Sequence, residues 1–163
     1  MSQRGASLFL MLGVIGLDAS TKEAALMYLD SNIVPVLPVL NLALGFNTGV
    51  SFGMFASDEA RGWWTIVLAT SVICAVVGWL WHRSSLQLER LGYASIMGGA
   101  LGNLVDRLPD GAVTDFIDFH AGGWHFPTFN LADIAITAGV ILLLVSSVRG
   151  VFANRGRRQA SRP

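Results

Sequence analysis

Three aspartates in the last third of the chain are the residues best suited to chemistry. Asp115 and Asp118 stand in the motif VTDFIDF, and Asp133 ends the motif FNLAD. Two carboxyl groups that share one proton can act together, because one stays ionised as a base while the other stays neutral as an acid. Such a pair activates water for attack on a carbonyl carbon and protonates the oxygen. The motifs predict peptide hydrolysis by Asp133 with Asp115 or Asp118, between which the spacing does not choose.

An amide and a chain reversal favour this pairing. Asn130 lies three residues before Asp133, so one helical turn would bring its amide to that carboxyl group. The stretch AGGWHFP between the acidic motifs supplies turn residues and aromatics that suit a reversal at a membrane surface. The two acids would then titrate as a coupled pair.

A metal site is the alternative use of this part of the chain. His120 and His125 lie near the aspartates, but the chain has no HExxH motif and the two histidines are not at helical spacing. We therefore expect an acid pair without a metal or other cofactor. The formal net charge is zero, which gives no indication of nucleic-acid binding.

The composition is that of a membrane protein. Of the 163 residues, 53% are hydrophobic and only 13% are charged, whereas soluble domains have about 25% charged residues. The length suits one domain over residues 1–163. Cys74 lies alone in an apolar run, so it forms no intrachain disulfide and is expected to serve packing.

Four segments approach the length of about 20 apolar residues that a membrane-spanning helix needs. Trp63 to Trp81 contains no charged residue, and Ile134 to Val148 reaches spanning length when Asn130 to Asp133 are included. Ser7 to Leu29 is interrupted by charges, and Leu91 to Val105 is rich in glycine. We predict an all-α membrane protein with four transmembrane helices, a small extracytoplasmic β element and an outer loop.

Arginines set the expected orientation in the membrane. They precede the first span, separate the second from the third, and follow the fourth: Arg4, Arg83, Arg90, Arg149, Arg155, Arg157, Arg158 and Arg162. Because basic residues mark cytoplasmic segments, both termini and the Trp81 to Leu91 loop are predicted to be cytoplasmic. Asp30 to Gly62 and Asp106 to Asn130 then face outward. Residues 150–163 form a basic cytoplasmic tail, predicted to be flexible.

The first outer segment is predicted to hold the β element. Pro35 and Pro38 disfavour a helix, and the aromatic and β-branched residues that follow favour turns and strand. Asn47 lies among glycines in this segment. It is either a turn residue or an amide that contacts substrate, and the segment alone leaves both open.

Asp18 and Lys22 are the first polar pair inside a predicted span. Their i,i+4 spacing suits an ion pair on one helix face. The alternative is that one partner reaches another helix. In the first arrangement the pair neutralises itself and only anchors the outer half of the span, whereas an ionisable group that reaches another helix at membrane depth indicates a function, because such groups are costly to bury.

Gly99, Asn103 and Arg107 form a stripe along the third predicted span. The glycine permits close approach of another helix, whereas the amide and the guanidinium offer hydrogen bonds to acids on neighbouring elements. Asp106 and Asp115 are the expected charge partners of Arg107.

Five polar motifs together resemble the bacterial lipoprotein signal peptidase family, also called signal peptidase II or the A8 aspartic peptidases. They are DASTK at Asp18 to Lys22, FNTGVSFG at Phe46 to Gly53, GGALGNLVDR at Gly98 to Arg107, GAVTDFIDF at Gly111 to Phe119 and FPTFNLAD at Phe126 to Asp133. Each motif alone is weak, but five in order on a four-span scaffold are specific. Thr48 and Val50 to Ser51 stand where the family often has small residues.

The resemblance implies an aspartic endopeptidase that removes signal peptides from prolipoproteins by cleaving before a diacylglyceryl-modified cysteine. It implies Asp115 and Asp133 as the catalytic pair, in preference to Asp118. Six positions match family residues of the site or of the first motif: Asn47, Asn103, Arg107, Asn130, Asp18 and Lys22. The implied partners are the diacylglyceryl-prolipoprotein and membrane lipid. The implied location is the bacterial cytoplasmic (inner) membrane, with the active site on its outer side, and nothing demands more than a monomer.

Two other classes of protein use similar residues. A proton-coupled carrier would employ the intramembrane acids and Arg107 as a relay, although no internal repeat of the kind that carriers have is evident. A non-catalytic assembly subunit would use the polar stripe for helix packing alone. If the chain is a peptidase, the segments around Asn47 and Trp124 are expected to cover bound substrate.

Overall fold

The computed structural model describes residues 2–30, 32–49 and 60–160, with side chains for residues 62–152 of the last range. This part of the chain forms four long helices and four strands. In chain order they are α1 (Gln3–Tyr28), β1 (Val34–Leu37), β2 (Leu40–Asn47), α2 (Ala60–Arg83), α3 (Gln87–Asp110), β3 (Val113–Ala121), β4 (Trp124–His125) and α4 (Leu131–Ala160). The second half of the FNTGVSFG motif, including Val50 and Ser51, and Arg162 lie outside the described residues.

The four predicted spans coincide with the four helices. Within the described residues, the segments Gly62–Arg83 and Leu131–Phe152 are long and apolar enough to cross a membrane. α1 and α3 carry more charged residues, of which Asp18, Lys22 and Arg107 are buried. α4 continues to Ala160, into the segment predicted to be a flexible tail, whose flexibility stays a prediction.

α3 is the central helix, against which α1, α2 and α4 all pack. Its glycines allow this closeness, since a Cβ added to Gly98 would lie 2.9 Å from the Cβ of Val14 on α1. On the other side, the Ser95 hydroxyl donates a hydrogen bond of 2.7 Å to the Ala135 carbonyl of α4. α2 and α4 flank α3, and a cleft lies between them.

The strands form one antiparallel sheet in the order β1-β2-β3-β4. β1 and β2 confirm the predicted β element of the first outer segment. The segment from Asp106 to Asn130, expected as an outer loop, contains β3 and β4 instead. Its β-branched and aromatic residues suit a strand, but its partner β2 is distant in sequence and no local pattern revealed the pairing.

A small apolar core fixes the sheet to the end of α1. It consists of Ala25, Leu29 and Phe116, with Leu42, Leu44 and Ile117 packed against it. In β3, Asp115 stands opposite Gly45 of β2, and Asp118 stands opposite Asn41. Because side chains alternate along a strand, Asp115 and Asp118 point to opposite faces of the sheet.

Candidate active site

Asp133 owes its position to the start of α4. Asn130 immediately precedes the helix, and its Oδ1 accepts the Asp133 N–H at 3.1 Å. In return, Asp133 Oδ2 accepts the Asn130 N–H at 3.2 Å. This reciprocal cap satisfies two backbone donors, and the helix N-terminus favours a negative charge at Asp133.

Asn130 connects Asp133 to Asp115. Its Nδ2 donates to Asp115 Oδ1 at 2.7 Å and to the Thr114 carbonyl at 3.3 Å. The Asn130 side chain is completely buried. The structure therefore brings Asn130, Asp115 and Asp133 together. The spacing of the motifs predicted the contact of Asn130 with Asp133 and left open whether Asp115 or Asp118 is the second acid.

Asn103 makes a second connection to the acids. Its Nδ2 donates to Asp133 Oδ1 at 2.9 Å, and its Oδ1 accepts from Asn130 Nδ2 at 3.0 Å. The same Oδ1 accepts from Lys22 Nζ at 2.7 Å. Because ammonium groups only donate, Lys22 fixes which end of the Asn103 amide faces Asp133.

Asp18 and Lys22 adopt both of the arrangements that the sequence left open, because they pair with each other and also reach other elements. The two form an ion pair of 2.8 Å along α1, with side chains 1% and 4% exposed. Each also reaches another element, Lys22 through Asn103 and Asp18 by accepting the Ala132 N–H of α4 at 2.8 Å. The pair is thus connected to Asp133 through Asn103 and to the residue before Asp133 through the Ala132 N–H.

Arg107 does not pair with Asp106 or Asp115 as expected. No carboxylate among the described residues lies at ion-pair distance from its guanidinium. Its Nη2 donates instead to the carbonyls of Asn47 at 3.3 Å and Gly49 at 2.8 Å. The reason is geometric, because the side chain is directed at the turn after β2. Its buried charge still acts on the acids by Coulomb attraction.

Asn47 ends β2, and its side chain interacts with two other residues. Its Oδ1 accepts the Gly49 N–H at 3.0 Å, which makes it a turn residue. Its side chain also faces Asp115 and favours the ionised form of that acid. Asn47 is therefore a turn residue, as one interpretation predicted, and it also acts on Asp115. Its contact with a substrate stays a prediction.

The surroundings of Asp115 favour its protonated form. Burial, followed by the charge of Asp133, raises the pKa of Asp115 from 3.8 to about 6. Hydrogen bonds from Asn47 and Asn130 and the charge of Lys22 oppose this rise. A buried acid with a pKa displaced toward neutrality is suited to general acid catalysis.

Asp118 has different surroundings. It accepts hydrogen bonds of 3.0 Å from Asn41 Nδ2 and 2.8 Å from His125 Nδ1. Burial acts to raise the pKa of Asp118, but these hydrogen bonds hold it below its usual value. The His120 and His125 rings stack with centroids 5.2 Å apart. Over the described part of the chain, no three potential metal ligands lie together.

A cleft of about 1080 Å³ opens beside the two acids, between α2 and α4. Its polar end is lined by Asp115, Asp133, Asn47, Asn103 and Arg107. Its remaining wall is mainly apolar and comes from α2, α3, α4 and the segment after β4: Ile73, Ile96, Ala100, Ile134, Ala138, Ile141, Phe126 and Phe129. The cleft can hold an apolar segment with one end against the acids.

Sequence reasoning missed Asp106 as part of this site. Asp106 lies 3.3 Å from Lys22 Nζ and accepts the Thr114 N–H at 2.7 Å. In the sequence, Asp106 follows Gly98 and Gly102 at i,i+4 spacing and so shares a helix face with them, but a helix face does not reveal a contact with β3.

Comparison with known proteins supports the same family as the motifs. Residues 10–149 match the family model of signal peptidase (SPase) II. The chain is 41% identical to a lipoprotein signal peptidase of Photorhabdus laumondii, covering 86% of each chain. It is 44% identical to a lipoprotein signal peptidase of Burkholderia pseudomallei, covering 89% of this chain and 87% of that one.

A solved bacterial membrane enzyme has the same fold. Its structure superposes with a TM-score of 0.80 at 26% identity, covering 90% of each chain. The apolar segments in α2 and α4 agree with a membrane protein. The chain therefore belongs to the signal peptidase II family and is a membrane-embedded peptidase of the aspartic family A8.

Proposed function

We propose that this chain is an aspartic endopeptidase that removes signal peptides from prolipoproteins by cleaving before a diacylglyceryl-modified cysteine. The observation that carries the proposal is the joining of Asp115 and Asp133 through Asn130 at the polar end of a largely apolar cleft. The relatives named lipoprotein signal peptidase support the substrate class.

Asp115 and Asp133 act as a dyad that holds one proton. Asp133 carries the negative charge, supported by Asn103 and by the start of α4, and Asp115 carries the proton. Asp133 takes a proton from water, whose oxygen bonds to the scissile carbonyl carbon while Asp115 protonates the carbonyl oxygen. Asp133 then gives its proton to the amide nitrogen and the C–N bond breaks. Asp115 regains a proton from the diol intermediate, which becomes the new carboxyl group.

Three asparagines and Arg107 hold this dyad in place. Asn130 and Asn103 orient Asp133, and Asn47 and Asn130 contact Asp115. Arg107 secures the turn that carries Asn47. Fixed donors of this kind need no rearrangement during the reaction, which is the source of their catalytic value.

All four helices span the membrane in this proposal. α3 has 24 residues and is therefore about 36 Å long, enough for a hydrocarbon core of about 30 Å. α1 and α3 pack alongside the apolar helices and turn Asp18, Lys22 and Arg107 inward. Apolar side chains cover the outer surface of α1, with Phe9 73% exposed. Membrane lipid is thus a partner of every helix.

The basic helix ends lie in the cytoplasm and the dyad lies at the outer side. Arg90 contacts Gln3 at the ends of α3 and α1 opposite the sheet. Under the positive-inside rule this end faces the cytoplasm of a bacterial inner membrane. The diacylglyceryl chains of the substrate stay in the outer leaflet while the peptide enters the cleft. One chain contains the whole dyad, so a monomer suffices, and the proposed mechanism uses no metal, cofactor or nucleic acid.

The test uses purified protein reconstituted with a diacylglyceryl-modified precursor peptide. Wild type is compared with Asp115→Asn, Asp133→Asn and the control Asp118→Asn, and mass spectrometry maps the cut. We expect cleavage before the lipidated cysteine, lost by at least about 1000-fold in the first two variants and retained in the control. Cleavage that survives both dyad substitutions would refute the mechanism. A wild type that leaves the peptide intact but moves protons across the bilayer would instead be a carrier.

A further inference from the structure

Two carboxylates outside the dyad hold the backbone next to it in the same way. Asp18 Oδ1 accepts the N–H of Ala132, the residue immediately before Asp133, at 2.8 Å. Asp106 Oδ2 accepts the N–H of Thr114, the residue immediately before Asp115, at 2.7 Å. Each candidate catalytic residue is therefore preceded by a peptide group that is bonded to a carboxylate of another element.

Lys22 joins these two carboxylates. Its Nζ lies 2.8 Å from Asp18 Oδ2 and 3.3 Å from Asp106 Oδ2, and its side chain is 4% exposed. The Lys22 and Asp18 side chains are buried and the Asp106 side chain is 23% exposed, so removing either carboxylate leaves the buried ammonium group less compensated. We call Asp18, Lys22 and Asp106 the charged bridge. It links α1 and α3 to both backbone segments that carry the dyad.

The peptide at Thr114 is held from both sides. Its N–H is bonded to Asp106 on α3, and its carbonyl accepts from Asn130 Nδ2 at the start of α4. The Thr114 side chain is 4% exposed, so water does not readily replace either bond. Displacement of Asp106 would therefore move the backbone of Asp115 relative to α4.

We propose that Asp106 is a positioning residue that, through the charged bridge, sets the separation between Asp115 and Asp133. This inference rests on the proposed peptidase function and adds a residue to it. Asp106 touches neither acid, and its effect passes through the Thr114 N–H and Lys22. Misplacement of reacting groups by about 1 Å lowers catalytic rates by about 100-fold, so a small loss of restraint is measurable.

The experiment measures kcat and KM of Asp106→Asn and Asp106→Ala with the diacylglyceryl-modified precursor peptide. Asp106→Asn keeps an acceptor for Thr114 and loses the charge that faces Lys22, whereas Asp106→Ala loses both. We expect kcat to fall by about tenfold and about 100-fold respectively, with KM changed by less than about threefold because the cleft is intact. The matched control is Asp110→Asn, an exposed acid one helical turn later, which should leave both constants unchanged.

The width of the pH profile separates positioning from a merely structural role. Two coupled acids lose their protons at pH values that are farther apart when the acids repel each other more strongly. If Asp106 sets the separation of Asp115 and Asp133, Asp106→Ala lets the two acids move apart and weakens their repulsion. The bell-shaped dependence of kcat/KM on pH then becomes narrower. A role limited to folding would lower the yield and the melting temperature while the width stayed that of wild type.

The outcomes distinguish this inference from the proposed function. The positioning role alone would be overturned if both Asp106 variants kept the wild-type kcat and the wild-type width of the pH profile while Asp115→Asn and Asp133→Asn were inactive. If the Ala variant does not fold, the Asn variant decides, because it preserves the size of the side chain. Absence of cleavage by wild type would overturn both, since the positioning role requires the reaction.

Discussion

Replacing Asp115 by asparagine should make the protein more stable while abolishing its activity. Asp115 is 2% exposed and its pKa is raised from 3.8 to about 6, first by burial and then by the charge of Asp133. The folded protein thus holds this proton more tightly than the unfolded chain does. Above the folded pKa the ionised carboxylate opposes folding, and asparagine removes that opposition.

The size of the effect follows from the displacement of the pKa. A rise from 3.8 to about 6 corresponds to about 3 kcal/mol at neutral pH, since each pH unit is worth about 1.4 kcal/mol. Asparagine keeps an acceptor for Asn130 but loses one oxygen, and a lost hydrogen bond subtracts about 1 kcal/mol. The net gain of about 2 kcal/mol raises the melting temperature by about 4 to 8 °C for a chain of this length.

The sign of the effect depends on pH. Well below pH 3.8 the carboxyl group is protonated in the folded and unfolded states, so wild type has no disadvantage. As pH rises from 3.8 to about 6 the wild type loses stability relative to the variant, and the difference is complete above that range. The advantage of Asp115→Asn should therefore appear at about pH 7 and vanish, or reverse slightly, at about pH 4.

Thermal melting in detergent at these two pH values is the measurement, with Asp118→Asn as control. Asp118 lies on the same strand and is 5% exposed, but hydrogen bonds from His125 and Asn41 hold its pKa below the usual value. Its ionised form supports folding, so Asp118→Asn should lower the melting temperature at neutral pH. An Asp115→Asn variant that is no more stable than wild type, with a difference independent of pH, would refute the reasoning.

Two further predictions concern helix packing and pH. Gly99→Ala places a Cβ against the Ala132 carbonyl and 2.8 Å from Ile136 Cγ1. Thermal melting should therefore show that the free energy of unfolding falls by about 1 to 3 kcal/mol. Gly16→Ala is the control, because its Cβ would lie in open space and should not destabilise the protein. kcat/KM should fall as pH rises above about 6 and Asp115 loses its proton. Asn47→Ala removes a side chain that favours the ionised form of Asp115, so the fall in kcat/KM should begin at higher pH. An unchanged pH profile would contradict this prediction.

Local patterns in the sequence were sufficient for the helices and for the first half of the sheet. Apolar runs predicted α2 and α4, and prolines with β-branched residues predicted β1 and β2. The three-residue spacing of Asn130 and Asp133 also predicted their contact, since one helical turn fixes it. Each of these features depends on residues that are neighbours in the chain.

Contacts between residues that are distant in the chain could not be predicted from these local patterns. Strand β3 exists because it pairs with β2, and the turn that Arg107 holds was visible only once both segments were in place. The i,i+4 spacing identified the pair of Asp18 and Lys22, but Asp106 as its third member required the folded bundle. The choice of Asp115 over Asp118 came from the family resemblance and stays a prediction, while the alternation along β3 turns the two side chains to opposite faces of the sheet.

The placement of neutral amides between the charged bridge and the dyad explains how one proton can be kept on two acids. A lysine in direct contact with Asp115 would favour its ionised form and leave the dyad without an acid. Lys22 instead reaches the dyad through Asn103, which passes on orientation but carries no charge. Asp18 and Asp106 balance the ammonium group on its other side. Burial therefore remains the largest influence on Asp115, so the chain gives up stability at the residue where the proposed mechanism requires a bound proton.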